Sequence, residues 1–357
     1  MGPAGLAEMT HMIGVGVVGL GHNGVAHIAA HREVGLSEVV AVCDRNPERL
    51  AETAEGLGVG RTYESVDELC ADPDVQALSV HTGDPYHIEP FIAAVRAGKH
   101  VLVEKPVANT VEQLAEMAAA AADADPTLKL AAGYILRFNP VFEAVHDLCR
   151  SGRLGQVYYL EGDYVHNLVN QAEQTDTHTG VNWYLQMEKP MVGGGSHPLD
   201  LLRWFVGAEV VEVSGYSTGV AFPQMVEDDC QVALFRFENG TIAKVAAVYA
   251  PRSEMAPFYN LRVYGTRGTV ERDTVALARD EVDRHPAFEP IQAERVSGHP
   301  YVPEVEDWLS AIRDDRPPRC DFFDGANSTA ATLLAVEAMA QGGALSVPTY
   351  RRRQAES

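Results

Sequence analysis

The chain lacks any apolar run approaching the roughly 20 residues that a helix needs to cross a bilayer, so no helical membrane span is expected. Met1–His11 has neither a basic start nor a long apolar stretch. It does not read as a signal peptide and is expected to be a loose extension. Positive charge is in short supply: 28 Lys and Arg face 50 Asp and Glu, a net charge of −22. That balance argues against nucleic acid and anionic membrane surfaces as partners. Solubility is its simplest use, and attraction of a cationic substrate is the sharper one. Cysteine is sparse and odd in number, at Cys43, Cys70, Cys149, Cys230 and Cys320, without metal-type spacing. Reduced thiols and a cytoplasmic setting are expected. The 13 histidines form no HExxH or other compact array, so no metal site is expected. Lysine is scarce beside arginine, which makes any lysine in a special place stand out.

What is present divides into two patterns. The 357 residues, 46% of them hydrophobic, suffice for two cores. An apolar run, Ile13–Val18, flows into Gly19-Leu20-Gly21-His22-Asn23-Gly24 and then into a helical stretch, Val25–Arg32. Strand, glycine turn and helix in that order form a dinucleotide-binding fingerprint. Gly19 makes the tight turn, Gly21 admits a pyrophosphate, and Gly24 lets helix and strand pack closely. The helix N-terminus offers free N–H groups to the phosphates. A second apolar run, Val39–Cys43, ends in Asp44, twenty residues after Gly24, where a carboxylate accepts the hydrogen bonds of a ribose diol. NAD is therefore the expected cofactor, with Arg45 leaving room for NADP.

Strands and helices then alternate: Pro47–Gly56 helix, Arg61–Tyr63 strand, Ser65–Cys70 helix with Ser65 as N-cap, Val75–His81 strand, Tyr86–Ala97 helix, His100–Glu104 strand, Thr110–Asp123 helix and Lys129–Tyr134 strand. This is the signature of a doubly wound parallel sheet. Near Gly133 the pattern changes. A helix over Phe138–Ser151 is followed by longer alternating strands at Val157–Tyr164, Val210–Ser217, Cys230–Phe237, Thr241–Tyr249, Leu261–Tyr264 and Thr269–Arg272, with Glu238-Asn239-Gly240 as a hairpin turn. The expected architecture is an α/β Rossmann domain over 12–132, after an extension over 1–11, and an α+β domain over 133–350 built on a mostly antiparallel open sheet. Late helices at Tyr301–Asp314 and Ala326–Gln341 could return to the first domain. The tail Arg351–Arg353 reads as solvated and mobile.

Two further segments carry chemistry. Glu104-Lys105-Pro106 sits at the end of a parallel strand, where such sheets bind ligands. A partly desolvated lysine there can polarise or protonate a substrate oxygen. A second Glu-Lys-Pro, at 188–190, lacks the preceding strand and reads as coincidence. Gly193-Gly194-Gly195-Ser196-His197 opens a helix running to Phe205, and a histidine there suits removal of a proton from an alcohol. Asp200, three residues on, could orient the helix or His197.

Together the GLGHNG turn, Asp44, the lysine motif at 104–106, Tyr134–Pro140 and 193–204 resemble the glucose–fructose oxidoreductase, inositol dehydrogenase and MocA family. Glu227–Asp229 and Tyr264–Thr269 extend the likeness over essentially the whole chain. The resemblance implies NAD or NADP, hydride transfer at a secondary carbon of a sugar or cyclitol, and a C-terminal sheet that assembles homodimers or homotetramers. Lys105 and His197 are the implied catalytic pair. Implied cofactor contacts are Gly19, Leu20, Gly21, His22, Asn23, Gly24, Asp44, Arg45, Thr82, His87, Glu104 and Lys105. Implied substrate contacts are Lys105, Tyr134, Arg137, Asn139, Asp176, His178, Trp183, Tyr184 and His197.

The family pattern Asp-x-Gly-x-His departs here, because Gly193 stands where the aspartate is usual. A substitute is sought among Asp176, His178 and Tyr184. Carboxylates at Glu173, Asp176, Glu188, Glu227, Asp228 and Asp229 bring amino sugars and aminoglycoside-type rings within the expected substrates. The alternative is a non-catalytic protein of the same fold that senses a dinucleotide or sugar.

Overall fold

A computed structural model of the chain describes residues 12–168, 175–253, 259–280, 282–296 and 298–353. Six parallel strands, β1 (Ile13–Val18), β2 (Ser37–Cys43), β3 (Thr62–Tyr63), β4 (Ala77–Val80), β5 (His100–Glu104) and β6 (Leu130–Gly133), lie in the order β3-β2-β1-β4-β5-β6. Strands β1, β4, β5 and β6 are almost wholly buried, as expected of a sheet covered on both faces, whereas β3 lies at the exposed edge. The covering helices are α1 (His22–Val34), α2 (Pro47–Leu57), α3 (Val66–Ala71), α4 (Ile88–Arg96) and α5 (Val111–Ala122). Asn46 caps α2 by accepting from the Arg49 amide at 2.9 Å, and Thr110 caps α5 through the Gln113 amide. Ser65 occupies the N-cap position of α3 but makes no capping hydrogen bond. Strand order reverses between β1 and β4, which opens the ligand crevice at the carboxyl ends of the strands.

The second half begins with α6 (Pro140–Arg150). This helix starts two residues later than the pattern predicts because Asn139 caps it, accepting from the Val141 amide at 3.0 Å. A nine-stranded sheet follows, from β7 (Val157–Val165), β8 (Val210–Thr218), β9 (Cys230–Phe237), β10 (Ile242–Val248), β11 (Tyr259–Gly265), β12 (Gly268–Glu271), β13 (Thr274–Leu277), β14 (Glu289–Pro290) and β15 (Leu345–Ser346). The order is β14-β13-β12-β11-β7-β10-β9-β8-β15, antiparallel except between β7 and β10. Along β9, Ala233, Phe235 and Phe237 are buried while Val232, Leu234 and Arg236 face out, so one sheet face is core and the other is open.

Five helices join the halves: α7 (Trp183–Gln186), α8 (Pro190–Gly193), α9 (Ser196–Val206), α10 (Tyr301–Arg313) and α11 (Phe322–Gln341). Helix α10 packs on α1, and its Val305, Trp308 and Leu309 enter the Rossmann core. The Trp308 indole donates to the Lys129 carbonyl at 3.2 Å. Helix α11 touches β6, α5 and β8 at once. It begins four residues before the expected Ala326, because Asp321 accepts from the Asp324 amide at 2.8 Å. The tail Arg351–Arg353 is exposed, as expected, and makes surface contacts with the Rossmann domain. Arg352 donates to the Pro126 carbonyl at 3.0 Å and Arg353 pairs with Asp123 at 2.6 Å.

Candidate active site

The phosphate turn is built by three glycines with different duties. Gly19 has φ +86°, and a Cβ on it would lie 2.6 Å from the Thr82 nitrogen. A Cβ on Gly24 would meet the Gly19 carbonyl at 2.0 Å, so only glycine lets α1 pack this close to β1. Nothing lies within 4 Å of a Cβ placed on Gly21, which caps α1. The first turn of α1 holds no acid and no side-chain cap, leaving its positive end open beside exposed His22 and Asn23. The buried Thr82 hydroxyl beside Gly19 has no hydrogen-bond partner among the described residues. An open helix end, bare backbone and an orphan hydroxyl fit a dinucleotide pyrophosphate.

Asp44 terminates β2. Its carboxylate accepts from the Leu20 amide at 2.9 Å and the Asn46 amide at 2.8 Å, with Arg49 3.8 Å away. Those bonds fix its direction and leave lone pairs for a ribose diol. Arg45 is exposed; it pairs with Glu89 and stands 6.0 Å from the Tyr86 ring centre.

The reactive end forms where β5 meets α9. Glu104 is buried and its carboxylate turns back to accept from the Lys105 amide at 2.9 Å. Burial pushes its pKa up, but His81, His27 and Lys105 together outweigh that and hold it at about 2. His27 and His81 stack with ring centres 3.8 Å apart, and His27 bonds the Asn23 carbonyl at 2.9 Å and Glu304 at 3.2 Å. The donor atoms of His27, His81 and Glu104 lie within 4.8 Å of one another. Both His27 nitrogens and Nε2 of His81 already have partners, while Nδ1 of His81 faces Glu104 Oε1 at 3.9 Å, so the group surrounds the Glu104 carboxylate with imidazole.

Lys105 donates from Nζ to the Gly193 carbonyl at 3.2 Å, bridging the two halves. His197 is buried in the first turn of α9, and its pKa falls well below 6.5 through burial first, then the charges of Lys105 and His299. The His299 ring centre is 6.0 Å from that of His197. No motif in the sequence marks His299, which lies on the approach to α10.

Gly193 holds the main surprise. A Cβ there would lie 1.9 Å from Oε1 of Glu188. Glu188 is buried, accepting from the Tyr249 hydroxyl at 2.5 Å and from the Trp183 indole at 2.8 Å. The second Glu-Lys-Pro is thus no coincidence in space: Glu188, expected only as one of six carboxylates toward the substrate, lies against Gly193. The available signal was Gly193 itself, since a missing side chain leaves room for another. Asp84, half-buried after β4, is also near: its pKa rises to about 8 through desolvation and then the Glu188 charge.

Several expected substrate contacts are structural instead. Tyr134 is buried with its hydroxyl 3.1 Å from that of Thr329. Arg137 is buried and bidentate to Asp200 at 2.7 and 2.8 Å, so Asp200 anchors α9 rather than touching His197. Asn139 is spent as the α6 cap. Asp176 and His178 sit at the Asp44 end, where Asp176 pairs with Arg49 at 2.6 Å and His178 lies 3.3 Å from Glu52. They lie against Asn46, Arg49 and Glu52, and the carboxylate that fills the space at Gly193 is that of Glu188 instead. His87, expected at the cofactor, is buried with its two nitrogens 2.8 and 2.9 Å from the Pro106 and Thr82 carbonyls, so it ties two loops together. Trp183 packs on Gly83 and serves Glu188. Tyr184 is half-buried, its pKa pushed up to about 12 by burial, then by Glu188 and Asp84. Among the acidic cluster, Asp228 bonds Ser217 and Asp229 caps the Phe222 amide. Glu173 lies outside the described residues.

Fold and phosphate turn together define a dinucleotide-binding protein. The family described as "Oxidoreductase family, NAD-binding Rossmann fold" matches residues 13–131, and the "GFO/IDH/MocA C-terminal domain" matches 142–271. The 1,5-anhydro-D-fructose reductase of Ensifer adhaerens is 30% identical over 337 residues, covering 90% of this chain and 94% of that one. The UDP-N-acetylglucosamine 3-dehydrogenase of Acidithiobacillus ferrooxidans is 31% identical over 344 residues, covering 93% and 100%. A levoglucosan dehydrogenase in complex with NADH superposes with a TM-score of 0.81 at 24% identity, over 94% of this chain and 99% of that one. The chain belongs to the GFO/IDH/MocA oxidoreductase family, with its NAD-binding Rossmann fold.

Proposed function

We propose that this chain transfers hydride between NAD and a secondary carbon of a polyhydroxylated ring, using Lys105 and His197. The observation that carries this reading is the meeting of Lys105, from the Rossmann sheet, with the Gly193 carbonyl at the start of the His197 helix. A bound nicotinamide would supply the acceptor for the hydride of the carbinol carbon. The hydroxyl proton needs a separate acceptor. His197 is neutral near pH 7, because burial and Lys105 disfavour its imidazolium, so it can accept a hydrogen bond from the hydroxyl. The N–H groups of Lys105 not spent on Gly193 point the ammonium charge at the oxygen that becomes a carbonyl.

Residues 12–132 would then bind the dinucleotide and 133–350 the substrate, with α10 and α11 completing both. The names of the relatives, an anhydro-fructose reductase and a UDP-N-acetylglucosamine dehydrogenase, support a sugar ring. Amino-substituted rings stay within the reading through Glu188, whereas Asp176, Asp228 and Asp229 serve other partners. A homo-oligomer would form on the open sheet face, where Tyr216, Val232, Leu234 and Ile242 on three adjacent strands are exposed. Among the described residues no helix is long and apolar enough to cross a membrane. All five cysteines are free, which suits a reducing compartment. The test is a screen of neutral sugars, cyclitols and amino sugars with NAD, followed by absorbance of the reduced nicotinamide. Turnover of a polyol supports the proposal. Tight dinucleotide binding with no turnover would favour the sensing alternative.

A further inference from the structure

We infer that Glu188 is the carboxylate of the reactive cluster: lodged in the space that glycine leaves at position 193, it is a positioning residue that sets the geometry and charge around Lys105 and Asp84. This rests on the dehydrogenase reading for its kinetic consequence but not for its physical one. Three observations converge. The Glu188 carboxylate fills the volume a side chain at 193 would need, with Oε1 1.9 Å and Oε2 3.0 Å from the Cβ position. The backbone carbonyl of that same residue accepts the Lys105 ammonium at 3.2 Å. Standard bond lengths then place the carboxylate within about 8 Å of that ammonium. Finally, the carboxylate is gripped at both oxygens by the buried Tyr249 hydroxyl and the Trp183 indole, so it cannot swing away.

Such a carboxylate is costly to bury without reason, and here it balances the Lys105 charge. It also acts on Asp84. Desolvation first, and then the Glu188 charge, raise the Asp84 pKa to about 8. The charged or titratable groups acting on Asp84 are Glu188, Lys105 and Glu104, with Tyr184 beside the pair. A protonated Asp84 can donate a hydrogen bond to a substrate hydroxyl where an ionised one could only accept.

The test moves the carboxylate. Glu188→Gln keeps shape and removes charge, Glu188→Ala combined with Gly193→Asp returns a carboxylate from the other position, and Gly193→Asp alone crowds two carboxylates into one space. With the best substrate of the screen, Glu188→Gln and Gly193→Asp should each lower kcat/KM by about 100-fold, and the double variant should recover to within about tenfold of the parent. A readout independent of turnover is the infrared band of a protonated carboxyl, assigned by its loss in Asp84→Asn. It should titrate near pH 8 in the parent, at lower pH in Glu188→Gln, and near the parent value in the double variant. If the band titrates unchanged in folded Glu188→Gln, the inference is overturned, whatever the enzyme turns over. A double variant that stays at the Glu188→Gln value would equally refute the idea that 188 stands in for 193. Shifted titration without turnover of any polyol would leave the inference standing and remove the dehydrogenase reading.

Discussion

Replacing Asp200 by alanine should destabilise the protein by about 3 kcal/mol, the low end of the roughly 3–5 kcal/mol expected when one partner of a buried ion pair is removed. Asp200 and Arg137 are almost wholly buried and meet through two parallel hydrogen bonds of 2.7 and 2.8 Å, the strongest geometry for this pair. Without Asp200 the guanidinium retains Asp324 at 3.0 Å and the Arg319 carbonyl at 3.2 Å, and it still faces the Trp204 ring at 5.8 Å. Those contacts keep the loss at the lower end. Ser328, which donates to Asp200 at 2.7 Å, loses an acceptor but remains bonded by Arg203. Replacing both members, Asp200→Leu with Arg137→Met, removes the stranded charge and should recover at least half of the loss. Urea denaturation at pH 7 measures each variant, with midpoints compared at a common slope. A loss below about 1 kcal/mol for Asp200→Ala, or a double variant no better than the single, would refute the reasoning. The same double variant tests the role of Arg137: with α9 still folded, KM should stay near the parent value, whereas a substrate-binding arginine would raise it steeply.

Asp44→Ser should shift cofactor preference toward NADP by at least tenfold, because it removes the charge that repels a 2′-phosphate while leaving Arg45 and Arg49 in place; steady-state efficiencies with both cofactors measure this, and an unchanged ratio would show that Asp44 does not face the ribose. Lys105→Ala and His197→Ala should each lower kcat by roughly 100-fold with little change in NADH affinity. His197→Asn, which cannot take up the proton, should behave like the alanine variant, and near-normal turnover there would move the base to Lys105. Acid should destabilise the fold through His31 and His81, whose pKa values burial lowers from 6.5 to about 3. The unfolded chain takes up these protons below pH 6.5 and the fold does not, so stability is complete above that pH and falls as pH drops toward 3, by roughly 1.4 kcal/mol per unit for each group. Glu304, raised by burial to about 7, holds its proton in the fold and runs the other way between pH 7 and 4.5. Asp84, raised to about 8, runs the same way as Glu304, while His87 and His197, lowered by burial, add to His31 and His81, so acid is destabilising on balance and most steeply below pH 4.5, where Glu304 no longer opposes. Urea midpoints from pH 7.5 to 4 check it, and a flat profile would be incompatible with neutral buried imidazoles.

The sequence by itself determined the parts whose causes are local. The parallel strands are continuous apolar runs, the turn at 19–24 needs glycine for reasons within one strand–helix unit, and Asp44 follows from the end of β2. The alternation along β9 and β10 likewise marks which sheet face is covered. Short strands such as β13, β14 and β15 were not legible, because two to four residues carry no period and pair only when a neighbour is already in place. The residues of 134–139 look polar enough for a binding loop, yet folding buries Arg137 against a carboxylate 63 positions away and spends Asn139 on a cap. Asp176 and His178 fall near Asp44 only because their loop crosses to α2. The tertiary structure alone decided Glu188. Its identity depends on three separate facts of packing: a glycine at 193, a tyrosine on the strand end after β10, and a tryptophan on α7. A motif records residues at fixed spacing along a chain, whereas a carboxylate acts through its position in space, which the fold can supply from either end of a loop.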